Sequence, residues 1–92
     1  MLILVMYDIS DNVSRSEFIK KLRHFGLRRI QKSIFAGLLS IEERLDLAEE
    51  FDFYMSSAGD SIIMVPVCES CVDSIFIEGE VNLPKSQNYV FL

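Results

Sequence analysis

Cysteine and histidine are scarce in this chain of 92 residues: Cys68 and Cys71 are the two cysteines, and His24 is the one histidine. A structural zinc site takes about four ligands, so a single C-x-x-C with a distant histidine does not build one, unless two subunits pool their pairs. A redox C-x-x-C follows a thioredoxin-like strand and opens a helix. The sequence around residues 68–71 does not read that way, so both thiols are expected to be reduced cytosolic groups near a strand end. The chain also lacks G-x-S-x-G, a phosphate-cradling glycine loop and H-E-x-x-H. A Ser-His-Asp set would have to use His24, and a cysteine nucleophile has no evident base. Most enzyme classes therefore find no support.

Long apolar runs are missing as well. Met1 to Tyr7 is apolar but far short of the roughly 20 residues that span a bilayer. It has no basic leader, so it is expected to be a buried strand of a cytoplasmic protein, not a secretory signal. No repeat or low-complexity tract breaks the chain, and residues 1–92 are expected to form one domain.

What the chain does have is a core and a divided charge. Half of its residues are hydrophobic, with seven Phe and three Tyr. A domain this small buries only a modest share of its surface, so self-association would add stability. Residues 1–32 carry seven Lys/Arg (Arg15, Lys20, Lys21, Arg23, Arg28, Arg29, Lys32) against three acids; residues 33–92 carry two against eleven, for a net charge of −5. Solvated faces account for much of this. A basic face on an acidic body can still bind phosphate.

The branched apolar run 2–7 predicts a central strand covered on both faces. Asp8 to Asn12 reads as a loop. Ser14-Arg15-Ser16-Glu17 has the form of a capping box with Ser14 as N-cap. Phe18, Leu22 and Phe25 then make a core-facing stripe, and Gly26 stops the helix. His24 fits the negative end of the helix dipole. Residues 28–39 read as extended, a single bent strand in which Gly37 marks a bulge or a close backbone approach. A second box, Ser40 to Glu43, opens a helix running to about Met55, with Ile41, Leu45, Ala48 and Phe51 or Phe53 for the core and an acidic outer face. Strands are predicted at Ser61–Val67, with Pro66 marking an edge or terminus, at Val72–Glu78 and at Tyr89–Leu92. The whole is an α+β, ferredoxin-like sandwich: an antiparallel sheet with two helices on one face, plus a short C-terminal strand.

Asp8 is the one candidate for chemistry that remains. It closes a central strand, and its carboxylate is the hard oxygen ligand that magnesium prefers. One carboxylate makes a weak site, but a two-fold dimer can bring two copies together. The pair, with waters and a phosphate, could then support phosphodiester cleavage. Loop capping is the ordinary role of an aspartate in this position.

Tyr7-Asp8-Ile9 at the end of the first strand, Gly26 to Phe35 with its Gln31-Lys32-Ser33-Ile34-Phe35 element, and Asp60 to Cys68 together resemble the CRISPR-associated protein 2 family over about the whole chain. The resemblance implies a ferredoxin-like homodimer, with magnesium shared by Asp8 from both subunits. It implies metal-dependent cleavage of RNA or DNA, and a dimer that bridges the adaptation integrase during spacer acquisition. It counts two strands between the helices where the residues alone suggest one. Arg15, Arg28, Arg29 and Lys32 are then the candidates for phosphate contact, while Tyr7, Gln31, Ser33 and Phe35 are motif, core or interface residues. Ala36 stands where family members often carry an acid. Three readings stay open: a metal-dependent nuclease, a non-catalytic scaffold whose C-terminal strand serves assembly, and a toxin-type ribonuclease of the same fold.

Overall fold

A computed structural model describes residues 1–84 in full and the backbone of residues 90 and 91. The elements run β1 (Leu2–Asp8), α1 (Asn12–His24), β2 (Arg28–Gln31), β3 (Ile34–Leu38), α2 (Ile41–Glu49), a 3-10 turn (Phe51–Tyr54), β4 (Ser61–Val67), α3 (Glu69–Val72), β5 (Phe76–Ile77) and β6 (Val90–Phe91). The first four strands make an antiparallel sheet in the order β2-β3-β1-β4, which is the ferredoxin-like arrangement. A separate parallel pair joins β5 to β6. Pro66 lies in β4, an edge strand, where its missing N–H costs no ladder bond.

Strand alternation divides the core. Ile3, Val5 and Tyr7 of β1 and Phe35 of β3 point to the helix side, where they meet Phe18 and Leu22 of α1 and Leu47 of α2. Leu2 and Ala36 point to the other face, where Val72, Ile75 and Leu83 cover part of it. By the same alternation, Leu4, Met6 and Asp8 of β1 share that second face with Ile34 and Leu38 of β3 and with Ser61, Ile63 and Val65 of β4. Ala36 is 2% exposed against Leu2 and Val72, so an acidic side chain there would be buried without a partner.

The structure corrects four local readings. First, α1 begins earlier than expected. Asp11 is its N-cap and accepts from the Ser14 amide at 2.8 Å. A carboxylate three residues upstream takes the amide that the Ser14 box would have left to Glu17, and Glu17 pairs instead with Lys20 at 3.5 Å. Second, residues 28–38 are two strands. Lys32 and Ser33 reverse the chain, and a register shift between Arg29 and Gln31 absorbs the irregularity. Every described non-glycine residue has negative φ, so this hairpin uses none of the left-handed positions that ordinarily announce one.

Third, α2 stops at Glu49 and turns its Leu47–Phe51 stripe to the core, while Ile41, Leu45 and Ala48 on the next stripe, and Phe53, are exposed. The helix rotation follows Leu39, already buried as the chain leaves β3. Its Ser40 capping box is present as expected. Fourth, the expected strand 72–78 is α3 followed by a two-residue β5. The Cys68 carbonyl accepts from the amides of Cys71 (2.9 Å) and Val72 (3.1 Å), and those two bonds wind the turn. The C-terminal strand appears as β6, with Tyr89 and Leu92 of the expected span outside the described residues.

Gly37 fulfils the close-approach expectation. A Cβ there would stand 3.0 Å from the Leu27 Cα, where the chain enters β2. Gly26 sits at φ +90° and donates its amide to the Arg23 carbonyl at 2.9 Å, ending α1. No described helix is long and apolar enough to cross a membrane.

Candidate functional site

Asp8 is the last residue of β1 and stands opposite Ser61 at the start of β4. It is exposed on the sheet face away from the helices. No described residue hydrogen-bonds or ion-pairs with its carboxylate, which leaves both oxygens available to a ligand. No cluster of three His, Cys, Asp or Glu forms a metal cage among the described residues. Asp8 therefore suits a hard cation by donor type, and one chain supplies one carboxylate.

The loop that carries Asp8 onward is tightly held. Arg15 reaches back from α1, donating to the Ile9 carbonyl at 2.9 Å and to the Asn12 side chain. Its charge thus stays beside the Asp8 end while two of its donors fix the loop. From the other side, Asp60 is 8% exposed and accepts from the Ser10 amide and hydroxyl, both at 3.0 Å. It also accepts from the Ser56 amide and hydroxyl and from the Ser57 amide. Led by the Ser10 amide, these donors hold the Asp60 carboxyl down at about 2. Asp60 ties the β1 exit to the β4 entry and so fixes the strand ends where Asp8 and Ser61 meet.

Tyr7 is buried, edge-on to Phe18 with ring centres 5.5 Å apart, and its hydroxyl reaches the Lys32 carbonyl at 3.5 Å. Its amide donates to the Ser33 carbonyl at 3.1 Å. The Gln31-to-Phe35 element thereby docks against Tyr7, and the exposed Lys32 lies at the Asp8 end of the sheet. Gln31 is exposed at the end of β2, and Ser33 is half-buried in the turn.

The other cations gather elsewhere. Arg29 lies over the Phe35 ring, 5.4 Å from its centre, and Arg23 of α1 approaches the same ring at 6.0 Å. Phe35 is thus core on one side and a seat for guanidinium groups on the other. Arg23, Arg28 and Arg29 line a cavity of about 390 Å³ with Gly26, Leu27 and Asn82. None of the three has an acidic partner among the described residues. By ladder position Arg29 is level with Val5 and two strands away from β1, which puts it roughly 14 Å from Asp8 along the sheet. The structure therefore keeps Arg15 and Lys32 at the Asp8 end of the sheet and leaves Arg28 and Arg29 in a separate patch.

Sequence reading missed Arg23 and Asp60. Arg23 stands in the last turn of α1, and only the packing of that helix end beside β2 makes it part of a cationic patch. Asp60 closes the Ser56-Ser57-Ala58-Gly59-Asp60 stretch that leads into β4. The serines around it were the available signal, since their amides and hydroxyls are its donors.

Residues 1–75 match the family described as CRISPR associated protein Cas2. The chain belongs to this family. Among its relatives, the CRISPR-associated endoribonuclease Cas2 1 of Archaeoglobus fulgidus is 39% identical over 77 residues, covering 84% of this chain and 82% of that one. A CRISPR-associated endonuclease Cas1/endonuclease Cas2 fusion of Thermoproteus tenax is 32% identical over 74 residues, covering 80% of this chain and 28% of the fusion. A solved structure described as cas2 superposes with a TM-score of 0.62 at 25% identity, over 71% of each chain. The Cas2 membership expected from Tyr7-Asp8-Ile9 and the Gln31-to-Phe35 element is thus established, together with the ferredoxin-like fold.

Proposed function

We propose that this Cas2-family protein serves CRISPR spacer adaptation as a homodimer that holds nucleic acid and bridges the partner integrase. The scaffold is its main role, and Asp8 from two subunits provides a magnesium-dependent phosphodiesterase site. Family membership supports the adaptation role, and the Thermoproteus fusion supports the partner, since it carries Cas1 and Cas2 in one chain.

The observation that carries the dimer is the sheet face opposite α1 and α2, which Val72 of α3, Ile75 and Leu83 cover only in part. Leu4, Met6, Ile34, Leu38, Ile63 and Val65 make it apolar, and Asp8 stands on its rim. An isologous pairing through this face covers apolar surface and sets two Asp8 carboxylates near one axis. Magnesium held there would neutralise phosphate charge and acidify a bound water. Arg15 and Lys32 place positive charge beside that position, and Arg23, Arg28 and Arg29 supply a second phosphate contact along the sheet edge. A protein of net charge −5 binds a polyanion only through such local patches.

The test is magnesium-dependent cleavage of labelled single-stranded RNA and of duplex DNA across pH, with Asp8→Ala in parallel. Cleavage that disappears in the variant, with the integrase still bound and spacer integration retained, is the expected result. Equal cleavage by both proteins would refute the Asp8 site. Loss of integrase binding or integration in Asp8→Ala would refute the separation of scaffold from nuclease.

A further inference from the structure

Cys68 and Cys71 follow a strand end, as the sequence suggested, and they also span the opening of a short helix. Cys68 is the first residue after β4 and the N-cap of α3, and Cys71 is one turn on. The strand-thiol-turn-thiol setting of a redox pair is therefore present. Both thiols are free and exposed. Residues three apart in a helical turn have Cα atoms about 5 Å apart, inside the span that a disulfide bridges. The Cys68 sulfur lies 3.1 Å from the Ser70 hydroxyl. That hydroxyl, the Cys71 thiol and the Cys71 amide hold Cys68 down to about 7, and the bond to Cys68 pushes Cys71 up. One thiol is thus an attacking thiolate near neutral pH and the other a resolving partner.

The pair opens onto a cavity of about 390 Å³ lined by Met1, Arg44, Val65, Pro66, Val67, Cys68 and Cys71. Arg44 of α2 is half-buried and has no acidic partner among the described residues; one of its nitrogens reaches the Met1 sulfur at 3.5 Å. The charged groups around the thiols are therefore Arg44 and Met1, whose ammonium bonds the Leu39 carbonyl at 3.4 Å, with Glu69 inside the turn. Arg44 shares the cavity with the exposed dithiol, and its charge favours an anionic reagent there.

We propose that Cys68 and Cys71 form a thiol–disulfide exchange site for anionic low-molecular-weight disulfides, with Arg44 as the carboxylate-binding group. The Cys68 thiolate attacks one sulfur of the reagent. A mixed disulfide forms as the reagent's S–S bond breaks, and the other half leaves as a thiolate that takes a proton from solvent, replacing the one Cys68 released on ionising. Cys71 then loses its proton and attacks the Cys68 sulfur, which closes the intramolecular bridge and releases the second half as a thiol. Two protein thiols are oxidised and one disulfide is reduced to two thiols. The bridge closes a four-residue loop, so it is exposed and readily reopened by excess thiol. It locks the turn that carries Val72 onto Leu2 and Ala36.

The test uses the whole reduced protein with oxidised glutathione and, separately, with neutral hydroxyethyl disulfide, followed by acid quench, alkylation and intact mass. The expected product has lost two free thiols and retains no glutathione. Cys71→Ser should trap one glutathione on Cys68, and Cys68→Ser, which lacks the sulfur that the Ser70 hydroxyl contacts at 3.1 Å, should react several-fold more slowly at pH 7. Arg44→Ala should slow glutathione exchange several-fold and leave the neutral reagent unchanged. Stable adducts on both cysteines of the parent protein, or a rate equal to that of an unstructured cysteine peptide, would overturn the exchange site. Equal slowing with both reagents would overturn the anionic class.

Discussion

At the scale of single residues, two aspartates at neighbouring strand ends, Asp8 closing β1 and Asp60 preceding β4, separate what a sequence can announce from what it cannot. Asp8 is legible because a polar residue closing an apolar run is placed at a strand end by periodicity alone, and its carboxylate has no partner among the described residues. Asp60 is not legible, since its five donors come from two loops that only the fold brings together. Its role has a pH signature. The folded carboxyl sits at about 2 against an ordinary 3.8, so its contribution is complete above pH 3.8 and is lost as pH falls towards 2. Asp60→Asn should unfold at lower urea concentration at pH 7, and its gap to the parent should close as pH falls from about 4 to about 2. A gap that is constant over that range would remove the charge-based account. Arg23 is the cation that the chain order hides. Arg23→Ala should weaken duplex binding and flatten the dependence of log K on log salt by about 0.9, one phosphate contact. Fluorescence anisotropy over a salt series measures both.

At the scale of elements, propensity and periodicity locate β1, α1, β4 and the start of α2, and they fail where the decisive contact is remote. The Lys32-Ser33 reversal has no Gly, Asn or Asp, because the bulge and the Tyr7 contacts hold it in place of turn chemistry. The core stripe of α2 was misread because Ile41, Leu45 and Ala48 have the right spacing, yet Leu47 is the buried one. Two apolar stripes on one short helix cannot be ranked without knowing how the chain enters it. Gly37 was legible as a special position, and the structure supplies the reason. Gly37→Ala puts a methyl group against the Leu27 backbone at 3.0 Å. Backbone cannot rotate out of the way, so overpacking should cost about 1–3 kcal/mol. Chemical denaturation would show the loss; a change within about 0.5 kcal/mol would mean the β2 entry shifts freely.

At the scale of the whole molecule, one sheet face remains to be explained. The helices cover Ile3, Val5, Tyr7 and Phe35, and the segment 72–83 covers Leu2 and Ala36, but Ile63 is 54% and Leu38 43% exposed on the same face as Asp8. A small domain gains from covering such a surface, and a second copy does so with its own identical face. Ile63 stands opposite Met6, one side-chain pair from Asp8 and Ser61. Ile63→Glu sets like charges across a two-fold interface and should turn a dimer into a monomer in sedimentation experiments. Val13→Glu is the matched control: it is 70% exposed on α1, on the opposite side of the sheet, and should leave the dimer intact. The two variants also test whether the site is shared. Asp8 is unchanged in both, so a monomeric Ile63→Glu protein should lose magnesium-dependent cleavage, while Val13→Glu keeps it. A monomer that cleaves as fast as the parent would show that one carboxylate is enough and that the dimer exists for assembly alone.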